Sequence, residues 1–383
     1  MKILLSVENF YPRLGGGEVF VDEIMTEFKK RGHDVYVLYV GDYKPNSNLN
    51  LLPQKRSFTF KNVPFLNRTV IRQYFANIKW KKLLDKKIKE IKPDIIFTQL
   101  EYTPSTIDVA KENNIPCVVF IQNYDHFCPS LFKNRKPEEC KMDCFRCSPL
   151  VYKLQHFFSM KYIRWHKESL KKADLVFSDS KYVADLLKKW HNVDSEVLHP
   201  LLFLDDFVIN ERIDHRYITF INPIKTKGAE IVLEMAKRMH EKEFLIVGGK
   251  DKNFINQFKK IKNVKYVSWC DDMKQIYSQT KILLTPSLWP EPFGRVISEA
   301  QINGIPCISS NSGGLPEAVG DGGIVINDVF NIDKWVSAIK RLDDIHCYKK
   351  MQSLAIKNST KLLFKNQWNL IKRTIRKIKP KLF

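Results

Sequence analysis

Short apolar runs alternate with amphipathic segments along most of the chain. Near the start, the run KILLSV at residues 2–7 is followed by a glycine turn, a helical pattern that ends near Gly32 and a second apolar run at 35–40. That order predicts a strand, a helix and a second strand. Similar runs, separated by helical stretches, lie at 94–97, 117–121, 174–177 and 196–198. The alternation predicts a parallel sheet.

The pattern lapses around residues 200–210 and then begins again. A second series of apolar runs lies at 217–221, 244–247, 264–267, 282–284 and 306–309. A chain of 383 residues with 44% hydrophobic content is also long enough for two cores. We therefore expect an α/β protein of two doubly wound domains, followed by a basic helix that packs back on the first of them. The expected bounds are 1–205, 206–365 and 366–383.

Two glutamates, eight positions apart, follow the strand predicted at 282–284. Glu291 stands in a Pro/Gly loop just beyond the strand's carboxyl end, where open α/β sheets bind ligands. Glu299 falls inside a helical pattern that runs from Gly294 to Asn303 and whose first turn offers N–H groups to an anion such as a diphosphate. The pair fits a polyhydroxylated ligand, although two surface glutamates flanking a turn would give the same spacing.

Two further turns have a composition suited to phosphate groups. Gly16 and Gly17 belong to a triple-glycine turn before the first helix, where the backbone can come close to a bound group. In the second domain, the strand at 217–221 leads into a turn with Lys225 and Lys227. Lysines at that sheet edge can neutralise a diphosphate leaving group as its charge develops.

The stretch EPFGRVISEA at 291–300, with its continuation GIPCISSNSGGLPEAVGDGGIVI, resembles the donor-sugar signature of retaining family-4 glycosyltransferases. The N-terminal glycine turn and RGHDV at 31–35 agree with the same family, whose members use nucleotide sugars and share the GT-B fold. The resemblance implies two Rossmann-like domains facing across a cleft. It also implies that the N-terminal domain binds the acceptor and that the C-terminal domain binds the nucleotide sugar.

The resemblance also implies roles for particular residues. Glu291 would bind hydroxyls of the donor sugar, Glu299 would hold the ribose hydroxyls, and Lys227 would act on the phosphates. The family's usual phosphate-binding arginine has no counterpart at Ile221-Asn222-Pro223, which leaves Lys225 or Arg295 to replace it. No metal ion is needed for catalysis in this scheme. The implied donor-binding set also includes Gly16, Gly17, Phe293, Gly294, Val296 and Ile297.

The segment IQNYDHFCP at 121–129 resembles the family's strand-end histidine element. Gln122 occupies the place of the histidine, and Asn123 agrees with the family pattern. His126, four residues later, is a candidate to replace it as a catalytic residue; a lone loop histidine is otherwise a surface or capping residue. Since the departing phosphate can assist the acceptor hydroxyl in a retaining transfer, loss of the histidine is compatible with activity.

Four clustered cysteines form a separate motif. Cys128, Cys140, Cys144 and Cys147 have the spacing C-x11-C-x3-C-x2-C, and the short last gap is typical of structural zinc sites. Reduced thiols or a redox-labile pair are the alternative readings, because the wide first gap is unusual for zinc.

The chain is strongly basic, with 63 Lys and Arg against 42 Asp and Glu, a net charge of +21. Two Lys-rich and Arg-rich stretches at 55–92 and 152–172 also contain many aromatic and aliphatic residues, so each could lie on an anionic membrane or form an ordinary helix with solvated lysines. The apolar start is broken at Glu8, and no stretch reaches the roughly 18–20 apolar residues of a membrane span. We expect a cytoplasmic protein with peripheral contact at the inner face of the membrane, and no nucleic-acid partner.

The sequence thus predicts a retaining hexosyltransferase that moves a hexose from a nucleotide-diphosphate sugar to a glycan or lipid-linked acceptor, in cell-surface polysaccharide or glycolipid synthesis. Two alternatives remain open. A nucleotide-sugar epimerase on the same scaffold would consume the donor without an acceptor. A non-catalytic basic protein that binds membranes or nucleic acid would explain the charge but not the paired glutamates.

Overall fold

The computed structural model describes residues 1–10, 16–41, 47–59, 70–128, 137–140, 156–209, 215–270 and 272–382. The chain divides into two compact units. Unit 1 comprises Met1–Leu198 together with Asn369–Phe383, and unit 2 comprises His199–Trp368.

Unit 1 is built on a parallel seven-stranded sheet of order β3-β2-β1-β4-β5-β6-β7. Its strands are β1 (Lys2–Ser6), β2 (Asp34–Val40), β3 (Asn50–Gln54), β4 (Ile95–Gln99), β5 (Cys117–Ile121), β6 (Leu175–Ser178) and β7 (Glu196–Val197). Its helices include α1 (Gly16–Lys30), α2 (Val70–Ile91), α3 (Thr103–Glu112), α4 (His156–Leu170) and α5 (Lys181–His191). The strand order reverses between β1 and β4, which leaves a crevice beyond their carboxyl ends.

Unit 2 repeats this plan with six parallel strands in the order β10-β9-β8-β11-β12-β13. The strands are β8 (Tyr217–Ile221), β9 (Phe244–Val247), β10 (Val264–Val267), β11 (Thr280–Thr285), β12 (Cys307–Ser310) and β13 (Gly323–Ile326). The α-helices are α6 (Leu204–Phe207), α7 (Ala229–Arg238), α8 (Lys252–Lys259), α9 (Lys274–Tyr277), α10 (Arg295–Gln301), α11 (Leu315–Val319), α12 (Ile332–Arg341) and α13 (Ile345–Thr360). A last helix, α14 (Phe364–Arg376), begins in unit 2 and continues beyond Trp368 into unit 1. Here the strand order reverses between β8 and β11.

Both faces of the sheet in unit 2 are buried, which explains why its strands are continuous apolar runs. Successive side chains of a strand point to opposite faces. Accordingly, Phe244 and Ile246 of β9 belong to one buried cluster, while Leu245 and Val247 belong to another. Continuous apolar strands are typical of parallel sheets covered on both sides. The predicted α/β architecture with two Rossmann-like domains is therefore confirmed.

Two strands and one helix differ from what the apolar pattern indicates. The pattern does not pick out β3 or β13; β3 contains Pro53 and lies at the end of the strand order, where a residue without an N–H is tolerated. The helix expected from Gly294 to Asn303 is shorter and is confined to Arg295–Gln301. Among the described residues, every helix is either too short or too polar to span a bilayer.

Candidate functional site

Two loops meet beyond the carboxyl ends of β8 and β11 in unit 2. The first contains the 3₁₀ turn Lys225–Lys227, and the second follows Pro286. The amides of Leu288 and Trp289 both donate to the Thr226 carbonyl, at 2.9 and 3.1 Å. The two loops are therefore joined at the point where the strand order reverses.

Two glycines allow this close approach. Gly228 has a φ of +84°, and a Cβ at this position would lie 2.1 Å from the Pro286 carbonyl oxygen. Gly313 has a φ of +66°, and its Cβ would lie 2.2 Å from the Glu291 carbonyl oxygen. Glu291 also accepts a hydrogen bond of 2.7 Å from the amide of Gly314. The main chain on either side of the candidate site is thus fixed by contacts that only glycine permits.

The Glu291 side chain is the centre of the site. It is 8% exposed, and its Oε1 accepts hydrogen bonds from Lys227 Nζ and, at 2.5 Å, from Ser287 Oγ. Ser310 Oγ donates to the Ser287 carbonyl at 2.6 Å, which steadies the serine. Lys227 Nζ also lies 5.7 Å from the centre of the Trp289 ring. The structure therefore brings together the lysine and the first glutamate of the sequence motif.

Glu299, within α10, is held by two hydrogen-bond donors. Its Oε2 accepts from the Tyr277 hydroxyl at 2.7 Å, and its Oε1 accepts from Arg295 Nε at 3.1 Å. Tyr277 is fully buried, and burial together with the Glu299 charge raises its pKa well above the usual value. The hydroxyl therefore stays protonated and serves as a hydrogen-bond donor.

The other predicted donor-binding residues of unit 2 are three apolar residues, one glycine and two cations. Phe293 and Ile297 are buried in an apolar cluster, so only their main chain is available to a ligand, whereas Val296 packs against the cluster and is partly exposed. Gly294 precedes α10 with a φ of +118°. Of the two cations proposed to replace the family arginine, Arg295 is engaged with Glu299, while the Lys225 side chain is 72% exposed and lies 3.5 Å from Glu230.

In unit 1, the glycine turn and the strand-end glutamine meet as well. A Cβ at Gly17 would lie 2.8 Å from Gln122 Oε1, and Gln99 Nε2 donates to the Gly17 carbonyl at 3.3 Å. Gly16 has open space around it. Asn123 forms two hydrogen bonds with Asp125, to its amide and its carboxylate, and so shapes the loop.

His126 lies inside unit 1 and not at its surface. It is fully buried, its Nδ1 is 2.9 Å from His166 Nδ1, and its carbonyl accepts a hydrogen bond from His191 Nε2. Burial and the neighbouring His191 lower the pKa of His126 to about 3. A side chain enclosed in this way does not contact a ligand at the strand ends. We therefore assign His126 a packing role and leave it out of the catalytic proposal.

The sequence motifs did not identify two residues that contact the glutamates of the site, Tyr277 and Ser287. Tyr277 is 22 positions before Glu299, so no local spacing connects them, whereas Ser287 could have been found from its place directly after the strand and its proline.

In unit 1, Arg72 forms ion pairs with Glu8 and Glu101 beyond β1 and β4. Burial and the Glu8 charge raise the pKa of Glu101 well above its usual value.

Half of the cysteine cluster can be placed. Cys128 lies in the loop after β5, and Cys140 follows the 3₁₀ turn Pro137–Glu139, while Cys144 and Cys147 lie outside the described residues. Within the described part of the chain, no group of three or more His, Cys, Asp or Glu side chains could hold a metal ion. A structural zinc at the four cysteines stays a prediction.

Two family models match the chain. The model "Glycosyltransferase Family 4" matches residues 14–201, and "Glycosyl transferases group 1" matches residues 205–368. The chain belongs to this family of glycosyltransferases.

Curated relatives and solved structures are similar along much of the chain. An uncharacterized 42.6 kDa protein in the cps region of Klebsiella pneumoniae is 24% identical over 83% of this chain and 87% of its own length. A D-inositol 3-phosphate glycosyltransferase of Mycobacteroides abscessus is 27% identical over 44% of each chain. Among solved structures, sucrose-phosphate synthase from Thermosynechococcus elongatus has a TM-score of 0.73 at 15% identity, with 98% of both chains covered. Anabaena Alr3699/HepE in complex with UDP has a TM-score of 0.72 at 15% identity, covering 98% of this chain and 100% of that one. These similarities show the GT-B fold.

The buried histidines predict a particular acid sensitivity. The pKa values of His126, His166 and His191 are all lowered by burial from 6.5. Below that pH the unfolded chain binds protons that the folded chain does not, so the free energy of unfolding falls as the pH falls from about 6.5 towards about 3. We expect His166→Gln to show a weaker fall in melting temperature between about pH 7.5 and about pH 5 than the wild type.

The matched control is His240→Gln, because His240 is exposed in unit 2. It should melt with the pH dependence of the wild type. Equal slopes for His166→Gln and His240→Gln would show that the buried cluster does not set the acid sensitivity.

Proposed function

We propose that the protein is a retaining glycosyltransferase that moves a hexose from a nucleotide-diphosphate sugar to a glycan or lipid-linked acceptor, without a metal ion. The supporting observation is the joined pair of Lys227 and Glu291 beyond β8 and β11, with Glu299 on the helix that follows. In this proposal unit 2 binds the donor and unit 1 binds the acceptor. The protein works in the cytoplasm, at the inner face of the membrane, in cell-surface polysaccharide or glycolipid synthesis.

The diphosphate, the hexose and the ribose of a nucleotide sugar each have a chemical counterpart in unit 2. A diphosphate carries negative charge, which Lys227 can meet. Sugar hydroxyls donate hydrogen bonds, which the Glu291 carboxylate accepts, and the two oxygens of Glu299 can accept from two neighbouring ribose hydroxyls. The UDP complex of Anabaena HepE, a protein of the same fold, supports this choice of ligand.

The proposed reaction needs little acid-base chemistry from the protein. The bond between the anomeric carbon and the phosphate oxygen breaks, and the acceptor hydroxyl forms the new bond on the same face of the sugar. Its proton passes to the departing phosphate. Lys227 stabilises the charge that develops on the diphosphate, as a fixed cation in a partly enclosed site. In this scheme the lysine supplies the positive charge that other enzymes take from a divalent ion.

The acceptor is proposed more coarsely. Gln99 and Gln122 place amide groups beside Gly17 at the carboxyl edge of the sheet in unit 1, and amides can both donate to and accept from sugar hydroxyls. The relative from the cps region of Klebsiella pneumoniae supports a role in polysaccharide synthesis.

A thermal-shift series of nucleoside diphosphates and their hexoses tests the proposal. A bound donor raises the melting temperature by mass action. We expect one nucleotide sugar to stabilise the wild type, and Glu299→Gln to remove this shift and donor turnover while remaining folded. Glu241→Gln, at an exposed position of unit 2, should behave as the wild type. A full shift with Glu299→Gln would refute the assignment, and donor turnover without any acceptor would favour an epimerase.

The two lysines of the same turn provide a matched pair of variants. Lys227→Ala should lower kcat/KM by about 10²–10³-fold, because a cation that meets developing charge is lost. Lys225→Ala should change it by no more than a few fold, since its side chain is largely exposed. Steady-state kinetics under one set of conditions compare the two. An equal loss in both variants would mean that the turn, and not Lys227, is responsible.

Tyr277 is expected to act through Glu299. Tyr277→Phe removes one of its two donors, so the carboxylate is less well oriented towards the ribose, and KM for the donor should rise by about tenfold with little change in kcat. A donor with a 2′,3′-dideoxyribose lacks the hydroxyls concerned. With that donor, the wild type and Tyr277→Phe should have the same KM. An unchanged difference would assign Tyr277 a purely structural role.

A further inference from the structure

Helices α2 and α4 of unit 1 share an exposed face made of aromatic, aliphatic and basic side chains. Tyr74 contacts both Phe158 and Trp165, with ring centres 5.9 and 5.7 Å apart, and Phe75 also contacts Phe158 at 5.7 Å. Phe157 continues this group at 5.6 Å from Phe158. We call the face formed by Tyr74, Phe75, Ile78, Phe157, Phe158 and Trp165 the aromatic surface.

This surface exposes apolar groups to an unusual degree for unit 1. Phe157 is 60% exposed and Ile78 is 39% exposed. Among the described residues of unit 1, these are the two large apolar side chains exposed by more than a third, and both belong to the aromatic surface. A cavity of about 530 Å³ lies between Tyr74, Ile78 and Trp165. Contiguous exposed apolar groups mark an interaction site more often than isolated ones do.

Lysines surround the apolar groups. Lys161 Nζ lies 4.3 Å from the centre of the Phe157 ring, and Lys82 is exposed at the edge of the cavity. Helix α2 carries seven Lys or Arg against two Asp or Glu, and α4 carries three against one. The two carboxylates at the cavity, Asp85 and Glu112, are each 2.5 Å from a lysine. The two helices therefore carry an excess of positive charge, and both carboxylates at the cavity are paired with lysines.

We propose that the aromatic surface is the face by which the protein docks on an anionic lipid bilayer. Aromatic and aliphatic side chains enter the boundary between headgroups and acyl chains, while lysines around them meet lipid phosphates. Both requirements are satisfied by the same two helices. The C-terminal segment is also basic, but its Lys377 and Lys379 pair with Glu196 and Asp94, which are not residues of the aromatic surface. The proposal deepens the proposed function, because it specifies how a lipid-linked acceptor would be reached.

The test is sedimentation of the full chain with vesicles, either of phosphatidylcholine alone or of phosphatidylcholine mixed with phosphatidylglycerol, at low salt. We expect binding to the anionic vesicles that weakens as salt is added. Phe157→Ser should lower partitioning into the vesicles roughly tenfold, because the bilayer would no longer bury an aromatic ring at this position. The pair Lys82→Glu and Lys161→Glu should lower it by at least about tenfold.

Matched controls lie in unit 2. Phe330→Ser changes a ring that is 74% exposed, and the pair Lys252→Glu and Lys260→Glu changes two exposed lysines by the same net charge. These variants should bind vesicles almost as the wild type does. Equal losses in the two sets of variants, equal binding to both vesicle types, or no binding by the wild type would each overturn the proposal.

Donor binding is measured on the same preparations, so that the two proposals can fail separately. The variants of the aromatic surface should keep the wild-type thermal shift with the nucleotide sugar. Vesicle binding without any such shift would leave the docking surface standing and refute the proposed function. A normal thermal shift without vesicle binding would refute the docking surface and leave the proposed function standing.

Discussion

A nearly buried carboxylate at the ends of two neighbouring strands is the constraint on which the site in unit 2 depends. A charge removed from water is stable only where a partner and hydrogen bonds compensate for the lost solvation. Lys227 and Ser287 supply them for Glu291. The turn of Lys227 can approach Pro286 only because residue 228 is a glycine, and Gly313 plays the same part for the Glu291 loop. A change at any of these positions would therefore displace the others.

The same ion pair shapes how a donor would bind in the proposed reaction. Lys227 is already occupied by Glu291, so a diphosphate that draws the lysine away leaves the carboxylate without its main partner. A nucleoside diphosphate without the sugar has no sugar hydroxyl that could donate a hydrogen bond to Glu291 in place of the lysine. A nucleotide sugar adds hydroxyl groups that can donate to Glu291, which restores the lost hydrogen bond. In the proposed reaction, the pair would therefore favour the complete donor over its diphosphate product and would assist release of the product after transfer.

The sequence is informative where structure and chemistry are local. Strands such as β9 and β11 can be predicted because burial on both faces makes them continuous apolar runs. Strand β3 escapes the pattern since it contains Pro53 and only Leu51 of its residues is buried. Glu291 and Glu299 are recognisable in the sequence because they lie in consecutive elements, Glu291 in the loop after β11 and Glu299 in the helix that follows. The contact of Tyr277 with Glu299 and the enclosure of His126 depend on packing between distant segments. No spacing along the chain encodes either of them.

The two units show why the side chains at the strand ends, and not the sheets, determine the chemistry. Each sheet reverses its order at one point and carries a glutamate beyond the neighbouring strands there. In unit 1, Glu101 is 3% exposed and faces Glu8, so the two acids compete for Arg72, and the pKa of Glu101 is raised. In unit 2, Glu291 accepts hydrogen bonds from a lysine and a serine. The first arrangement encloses two carboxylates around one arginine inside unit 1, whereas the second holds one cation and one anion together, which suits the charged, hydroxyl-rich donor of the proposed function.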